Sequence, residues 1–308
     1  MNRVSSAGSY SVVLAHLNEA QARQIKAGAE VSTGMIGSDL KGFARNAEAL
    51  TSMNSIRTRV NSYLDQNRVL EDRFATQDLA LTRIADAAAA ARQTVTEALA
   101  SGRGDTLMQE LGSHFNNLVS GLNSKSQGKY LFAGGQLNTQ PVDNMVLSDL
   151  TLGTVASRFH NDSFVATTKL DESTSLQGGF LASDLGTEAL TAFRTIQAFQ
   201  ESVDGPFDGE LTENQRAFLE AQLATMDDTA EDLTNQAARN GSYQRQVEDI
   251  GRNLTERSTM MEQLIGDVTD VDMPDAISRL ELSKIAIQAS AEVFTTLRDS
   301  SLLNYLRI

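Results

Sequence analysis

From Ala49 the chain reads in steps of four and three residues: Ala49, Met53, Ile56, Val60, Tyr63, Asn67, Leu70, Phe74, Gln77, Leu81, Ile84, Ala88, Ala91, Val95 and Ala98. Only Asn67 and Gln77 interrupt the apolar stripe. A stripe of period 3.5 stays on one side of an α-helix only if the helix supercoils around a partner. At 1.5 Å per residue the segment spans roughly 75 Å, an element that few compact enzymes contain. A second ladder follows: Leu219, Leu223, Met226, Ala230, Leu233, Ala237, Asn240, Gln244, Val247, Gly251, Leu254, Ser258, Met261, Ile265 and Val268. Its middle, Asn240 to Ser258, is the polar part.

Composition supports long helices. The 308 residues include three prolines (Pro141, Pro206 and Pro274), no tryptophan and 6% aromatics, so helices can run far without a missing amide. The net charge of −14 argues against nucleic acid or an anionic membrane surface as partner, because no separate basic patch offsets it. Cysteine is absent, which excludes disulfides, thiolate nucleophiles and Cys-ligated metals. No stretch approaches the ~20 apolar residues of a membrane span. Met1 to Tyr10 lacks the layout of a cleaved secretory signal, so a chain of this kind that leaves the cytoplasm is expected to take another route.

Around the ladders the punctuation is regular. Residues 9–31 form a loose helical stripe of Val13, Leu14, Leu17, Gln24, Ile25 and Val31, closed by Gly34 and Gly37. Ser38 or Asp39 is expected to cap the first ladder helix, which runs to Ala100. After the Ser101–Gly104 turn, Asp105 is expected to cap a helix bearing Leu107, Leu111, Phe115, Leu118 and Leu122 and stopping near Gly128. From there to about Gly186 the texture is of short β runs, such as Met145–Leu152 and Ser163–Leu170, too small for much of a core and read as resting on the end of the rod. Helix resumes at Thr187 with Leu190, Phe193, Ile196 and Phe199. Thr212 and Gln215 form a capping box ahead of the second ladder. Asp272 and Pro274 restart the last helix, which carries Ile277, Leu280, Ile287, Phe294 and Leu297.

The expected fold is mainly α: an elongated antiparallel bundle of long heptad helices with a small β insertion and amphipathic terminal helices. Residues 39–136 and 187–271 make the bundle, 137–186 the outward insertion, and 1–38 with 272–308 an inner assembly domain. The two long helices fold back on each other and bring the termini together. A two-helix pair leaves the terminal stripes partly wet. The candidate assembly interface is therefore Val4, Val13, Leu14, Leu17, Ile25, Val31, Ile287, Phe294, Leu297, Leu302, Leu303, Tyr305 and Leu306.

Nothing in the chain points to catalysis. His16, His114 and His160 have no companion at ligand spacing. Asp267, Asp270, Asp272 and Asp275 lack the pattern of a calcium loop and read as capping and solvation. Asp227, Asp228, Glu231 and Asp232 read as a solvated helix face. No catalytic, metal or cofactor site is expected. Asn67 and Gln77 either fix register within the ladder or mark an exposed edge.

Met1-Asn2-Arg3-Val4-Ser5, Glu30-Val31-Ser32-Thr33-Gly34, Asp39-Leu40-Lys41-Gly42 and Ala238-Arg239-Asn240-Gly241 closely resemble the bacterial flagellin family. Tyr130–Val142 (YLFAGGQLNTQPV) and the ending Ser301-Leu302-Leu303-Asn304-Tyr305-Leu306 are more similar to its hook–filament junction branch than to filament flagellins. The turn Gly34-Met35-Ile36-Gly37-Ser38-Asp39 departs from the basic residue and proline-flanked acidic pair of many members. The resemblance covers about the first 140 and last 120 residues. It implies a structural subunit of the flagellum, exported unfolded by the flagellar type III system with a chaperone. Its terminal helices would self-associate in a helical layer, between a hook-side junction protein and filament flagellin. The alternatives are a filament flagellin and, in a different class, a cytoplasmic coiled-coil adaptor.

Overall fold

The computed structural model describes residues 2–37, 39–43 and 45–299; residues 1, 38, 44 and 300–308, and the side chains of 2–10 and 298–299, lie outside the description. The fold is mainly α, with two small two-stranded antiparallel sheets. Among the described residues six α-helices follow in order: α1 (Asn2–Thr33), α2 (Ala47–Ser101), α3 (Leu107–Leu122), α4 (Ala182–Gln200), α5 (Glu213–Thr269) and α6 (Met273–Asp299). The strands are β1 (Lys125–Ser126), β2 (Lys129–Tyr130), β3 (Thr167–Lys169) and β4 (Ser175–Gln177). The chain divides into two compact units. One comprises 1–59 with 257–308 and the other 60–256, the cuts falling within α2 and α5.

In the unit 60–256 the ladders are the packing faces. Every rung of α2 from Val60 to Ala98 is buried except the half-buried Tyr63, and no rung of α5 is exposed. The two helices run antiparallel. Arg92 pairs with Asp227, Arg216 Nη1 donates to Leu99 O (3.0 Å), and Gln244 Nε2 donates to Phe74 O (2.9 Å). Leu107, Leu111, Phe115, Leu118 and Leu122 of α3 and Leu190, Phe193 and Ile196 of α4 complete this core. Phe115 and Phe193 meet edge to face across it, their centroids 5.6 Å apart. Small residues set the approach of α2 and α3, since a Cβ on Gly121 would lie 2.5 Å from Ile84 Cγ1. The capping box at α5 forms as expected: Gln215 N donates to Thr212 Oγ1 (3.2 Å), and Thr212 N to Gln215 Oε1 (3.0 Å).

The central insertion departs from the expected β texture. Met145–Leu152 is not a strand but contains a 3-10 turn, Leu147–Thr151, because Asp149 Oδ2 accepts from Val146 N (2.9 Å) and curls the chain. Nor does the insertion merely rest on the bundle: Phe132, Val142, Leu150 and Val155 are buried in the helical core. β3 and β4 pair with Thr168 opposite Leu176, and Leu176 packs with Leu170, Leu70, Phe74 and Val247. Asn67 is buried beneath this hairpin and donates from Nδ2 to Leu170 O (3.3 Å). That contact and the full burial of Gln77 rule out the exposed-edge reading of both residues. The loop Ala133–Gln136 is tied by Asp162, whose Oδ1 accepts from Gly135 N (2.8 Å) and Phe164 N (2.9 Å). These amides hold its carboxyl below the usual range, Gly135 contributing most.

Helix boundaries shift where local hydrogen bonding overrides the expected caps. Asp105 does not cap α3; its carboxylate accepts from Arg103 Nε (2.8 Å) and Gly209 N (3.2 Å), and α3 begins two residues later. α3 stops at Leu122, not Gly128, because β1 and β2 turn through Gln127 and Gly128, both at positive φ (50° and 79°). α4 begins at Ala182, ahead of Thr187, where Asn161 Oδ1 accepts from Ser183 N (3.1 Å). α2 begins at Ala47. Asp39 Oδ1 accepts from Gly42 N (3.0 Å) in a turn instead, and Ser38 lies outside the described residues.

The other unit is built on α1 and α6. α1 ends at Gly34 (φ 71°), whose amide donates to Glu30 O (2.8 Å). The next residues form a short antiparallel bridge to the linker before α6: Ile36 N to Thr269 O (2.8 Å) and Val271 N to Gly34 O (2.9 Å). This closes α1 and α6 into an antiparallel hairpin. Asp272 caps α6, accepting from Asp275 N (3.2 Å).

Candidate assembly interface

The α1–α6 hairpin has a heptad seam of modest residues. On α1 it runs through Val13, Leu17, Ala20, Gln24, Ala27 and Val31, and on α6 through Ala276, Leu280, Ser283, Ile287, Ser290, Phe294 and Leu297; all are buried or half-buried. Small side chains let the backbones approach, and a Cβ on Gly28 would meet Leu280 Cδ1 at 3.9 Å. Towards the linker the seam encloses a charge. The Glu30 carboxylate is only 4% exposed and faces Arg279 Nη1 at 3.1 Å and Lys26 Nζ at 3.9 Å. The Arg279 contact is an ion pair rather than an aligned hydrogen bond, since Oε2 makes no hydrogen bond among the described residues. Arg279 also lies 2.9 Å from Asp275. These groups border a groove of about 380 Å³ floored by Ala20 and Ala27. On the outer side Arg23 pairs with Glu19 and holds its carboxyl below the usual value.

The expected interface residues fall into two sets. Val13, Leu17, Val31, Ile287, Phe294 and Leu297 belong to the seam within one chain. Leu14 and Ile25 face outward, 50% and 73% exposed. Val4 lies on α1 but its side chain is outside the described residues, as are Leu302, Leu303, Tyr305 and Leu306 altogether. The structure adds outward residues that the sequence reading did not select: Val12 on α1 and Leu282, Ile285 and Val293 on α6. Their spacing relative to the seam would have revealed them. Among the described residues, thirteen of the nineteen exposed large hydrophobics lie in this unit, six before Arg59 and seven after Arg257.

The polar constellations elsewhere serve local structure. His114 Nε2 lies 3.2 Å from Thr94 Oγ1, His160 Nε2 lies 2.7 Å from Asp143 Oδ1, and His16 is exposed. Asp227, Asp228, Glu231 and Asp232 are exposed on α5. Among the described residues no group of three or more His, Cys, Asp or Glu could hold a metal ion, and no helix is long and apolar enough to cross a membrane.

Residues 223–306, covering most of α5 and all of α6, match the family described as the bacterial flagellin C-terminal helical region. Comparison with curated proteins finds no match. Among solved structures, a putative flagellar hook-associated protein from Vibrio parahaemolyticus is similar at 16% identity and TM-score 0.59, covering 72% of this chain and 97% of that one. Bacillus cereus FlgL (14%, TM-score 0.52, 71% and 99%) and Xanthomonas campestris FlgL (11%, TM-score 0.54, 69% and 98%) share the same fold. Over residues 223–306 the chain is thus similar to the bacterial flagellin C-terminal helical region, and its fold is FlgL-like.

Proposed function

We propose that this chain is a structural, non-catalytic subunit of the bacterial flagellum, the adapter that joins hook to filament. The observation that carries the reading is the concentration of exposed apolar side chains on the unit formed by the chain ends. A monomer that leaves such surface wet is built to bury it against neighbours. The likeness to a flagellar hook-associated protein and to FlgL supports the setting. The inner assembly domain is 1–38 with 272–308, the bundle 39–136 with 187–271, and the outward insertion 137–186. The terminal helices meet further copies in one helical layer, a hook-side junction protein on one side and filament flagellin on the other. The subunit reaches this place through flagellar type III export, with a chaperone, and acts outside the cell.

Purified chain under salting-out, seeded with filament fragments, tests the adapter role against that of a filament subunit. An adapter caps the seeds without extending them. Filaments that lengthen with added chain would refute the junction reading and identify a filament flagellin.

A further inference from the structure

The seam between α2 and α5 is unequal along its length. From Leu81 to Ala98 on α2, and from Leu219 to Ala237 on α5, every rung is apolar. From Asn67 to Gln77 and from Asn240 to Gly251 the rungs carry only three apolar side chains, Leu70, Phe74 and Val247. Those three stand apart from the main core. They form a separate cluster with Leu170 and Leu176 of the β3–β4 hairpin, and Tyr243 borders both clusters. The hairpin therefore supplies the apolar cover that the two helices do not give each other here. It lies close, since a Cβ on Gly178 would stand 2.5 Å from Phe74 Cζ, and Asn67 Nδ2 donates to Leu170 O (3.3 Å). The same stretch also opens to water, where Leu64, Glu71, Glu248 and Gly251 border a cleft of about 590 Å³.

The closed seam holds polar atoms that water would serve better. Neither amide atom of Gln77, nor Asn67 Oδ1, nor Asn240 Oδ1, has a hydrogen-bond partner among the described residues. Asn240 Nδ2 and Gln244 Nε2 both donate to the one carbonyl of Phe74 (3.1 and 2.9 Å), and water can replace such bonds when a seam opens. The apolar rungs beyond Leu81 gain nothing of the kind. Against this opening stand chiefly the two hairpin leucines. Between 167 and 177 they are the buried residues, whereas Thr167, Lys169, Ser173, Ser175 and Gln177 are exposed.

We propose that the β3–β4 hairpin is a strap across the polar stretch of this seam. Docked, it shuts the seam. Released, it lets α2 and α5 part over 64–78 and 240–254 while the main core stays closed, because a local opening costs only the contacts that it breaks. The strap sets how firmly the two helices hold together at the end of this unit where both run on into the other. The inference is independent of the assembly role.

Hydrogen exchange of the purified full chain at low urea concentrations, read by mass spectrometry, tests it. In the parent chain, segments 165–179, 64–78 and 240–254 are expected to share one opening free energy. It should lie below that of 81–98 and 219–233 and fall less steeply with urea, as an opening that exposes less surface must. Leu176→Ala should speed exchange across 64–78 and 240–254 by roughly tenfold or more, and Ser175→Ala on the outer face should not. One opening free energy for all five segments would make the hairpin part of a single cooperative core and overturn the proposal. Fast exchange of 165–179 while 64–78 and 240–254 keep the protection of 81–98 would overturn it too, as would unchanged exchange of those segments in a folded Leu176→Ala chain. The parent comparison decides alone if Leu176→Ala does not fold.

Discussion

Two buried amides on the long ladders have opposite energetic accounts. Gln77 and Asn240 are both at 0% exposure. Asn240 Nδ2 donates to Phe74 O (3.1 Å) and Asp78 Oδ1 (3.3 Å), whereas neither amide atom of Gln77 has a hydrogen-bond partner among the described residues. An unpartnered buried amide costs about 1–3 kcal/mol by mutational measure. Gln77→Met keeps the length and unbranched shape of the side chain, so the packing change is small. The expected outcome is a gain of about 1–3 kcal/mol, or about 6 °C in Tm at the middle of that range for a unit of this size. Asn240→Ala should do the reverse. It loses two donated bonds at about 0.5–1.5 kcal/mol each and opens a small cavity, offset in part by removal of Asn240 Oδ1, which is buried without a partner among the described residues, for a fall of about 1 kcal/mol. Urea unfolding followed by far-UV circular dichroism measures both, at constant m-value. A lower midpoint for Gln77→Met would refute the reasoning and show that the Gln77 amide is satisfied in the folded chain.

Three further outcomes are expected. Arg279→Met leaves the buried Glu30 carboxylate with only the more distant Lys26, which should destabilise the hairpin by about 1–3 kcal/mol after discounting for the half-exposed guanidinium; hydrogen exchange of the α1 amides should rise, and unchanged protection would contradict the pairing. Thr212→Ala removes one arm of the α5 capping box and should cost about 1 kcal/mol, read as a lower urea midpoint, with no change counting against the cap. The folded Asp162 carboxyl titrates below its ordinary value of 3.8, so its contribution is fully present above that pH and is lost as pH falls through the depressed folded value. Asp162→Asn should flatten the acid limb of stability below about pH 4, and an unaltered limb would remove Asp162 from the account.

The long ladders were legible because burial there follows a strict 3.5-residue period over many turns. Every α2 rung from Val60 to Ala98 but Tyr63 is buried, although the helix pairs with its own chain. The capping box at Thr212 and Gln215 was legible for a similar reason, since both partners lie within one turn. The terminal hairpin was harder to read. Its seam uses Ala20, Gln24, Ala27 and Ser283, so a search for large apolar residues selects Leu14 and Ile25, which point outward. Size misled where spacing would have served: the seam mixes small with large residues at its heptad positions, and Leu14 and Ile25 fall off those positions. Asp105 misled because a carboxylate near a helix start has competing donors, here Arg103 and Gly209. Met145–Leu152 reads as a short β-type run between turn residues, but Asp149 offers its backbone a nearer bond.

The central claim is that this chain is an adapter confined to one layer of the flagellum and held there by its paired ends. Tagged protein localised on isolated intact flagella by immunogold electron microscopy tests it most directly. The account predicts a single cluster of label where hook meets filament on each flagellum. Label distributed along the filament, or absent from flagella in cells that make the protein, would contradict it.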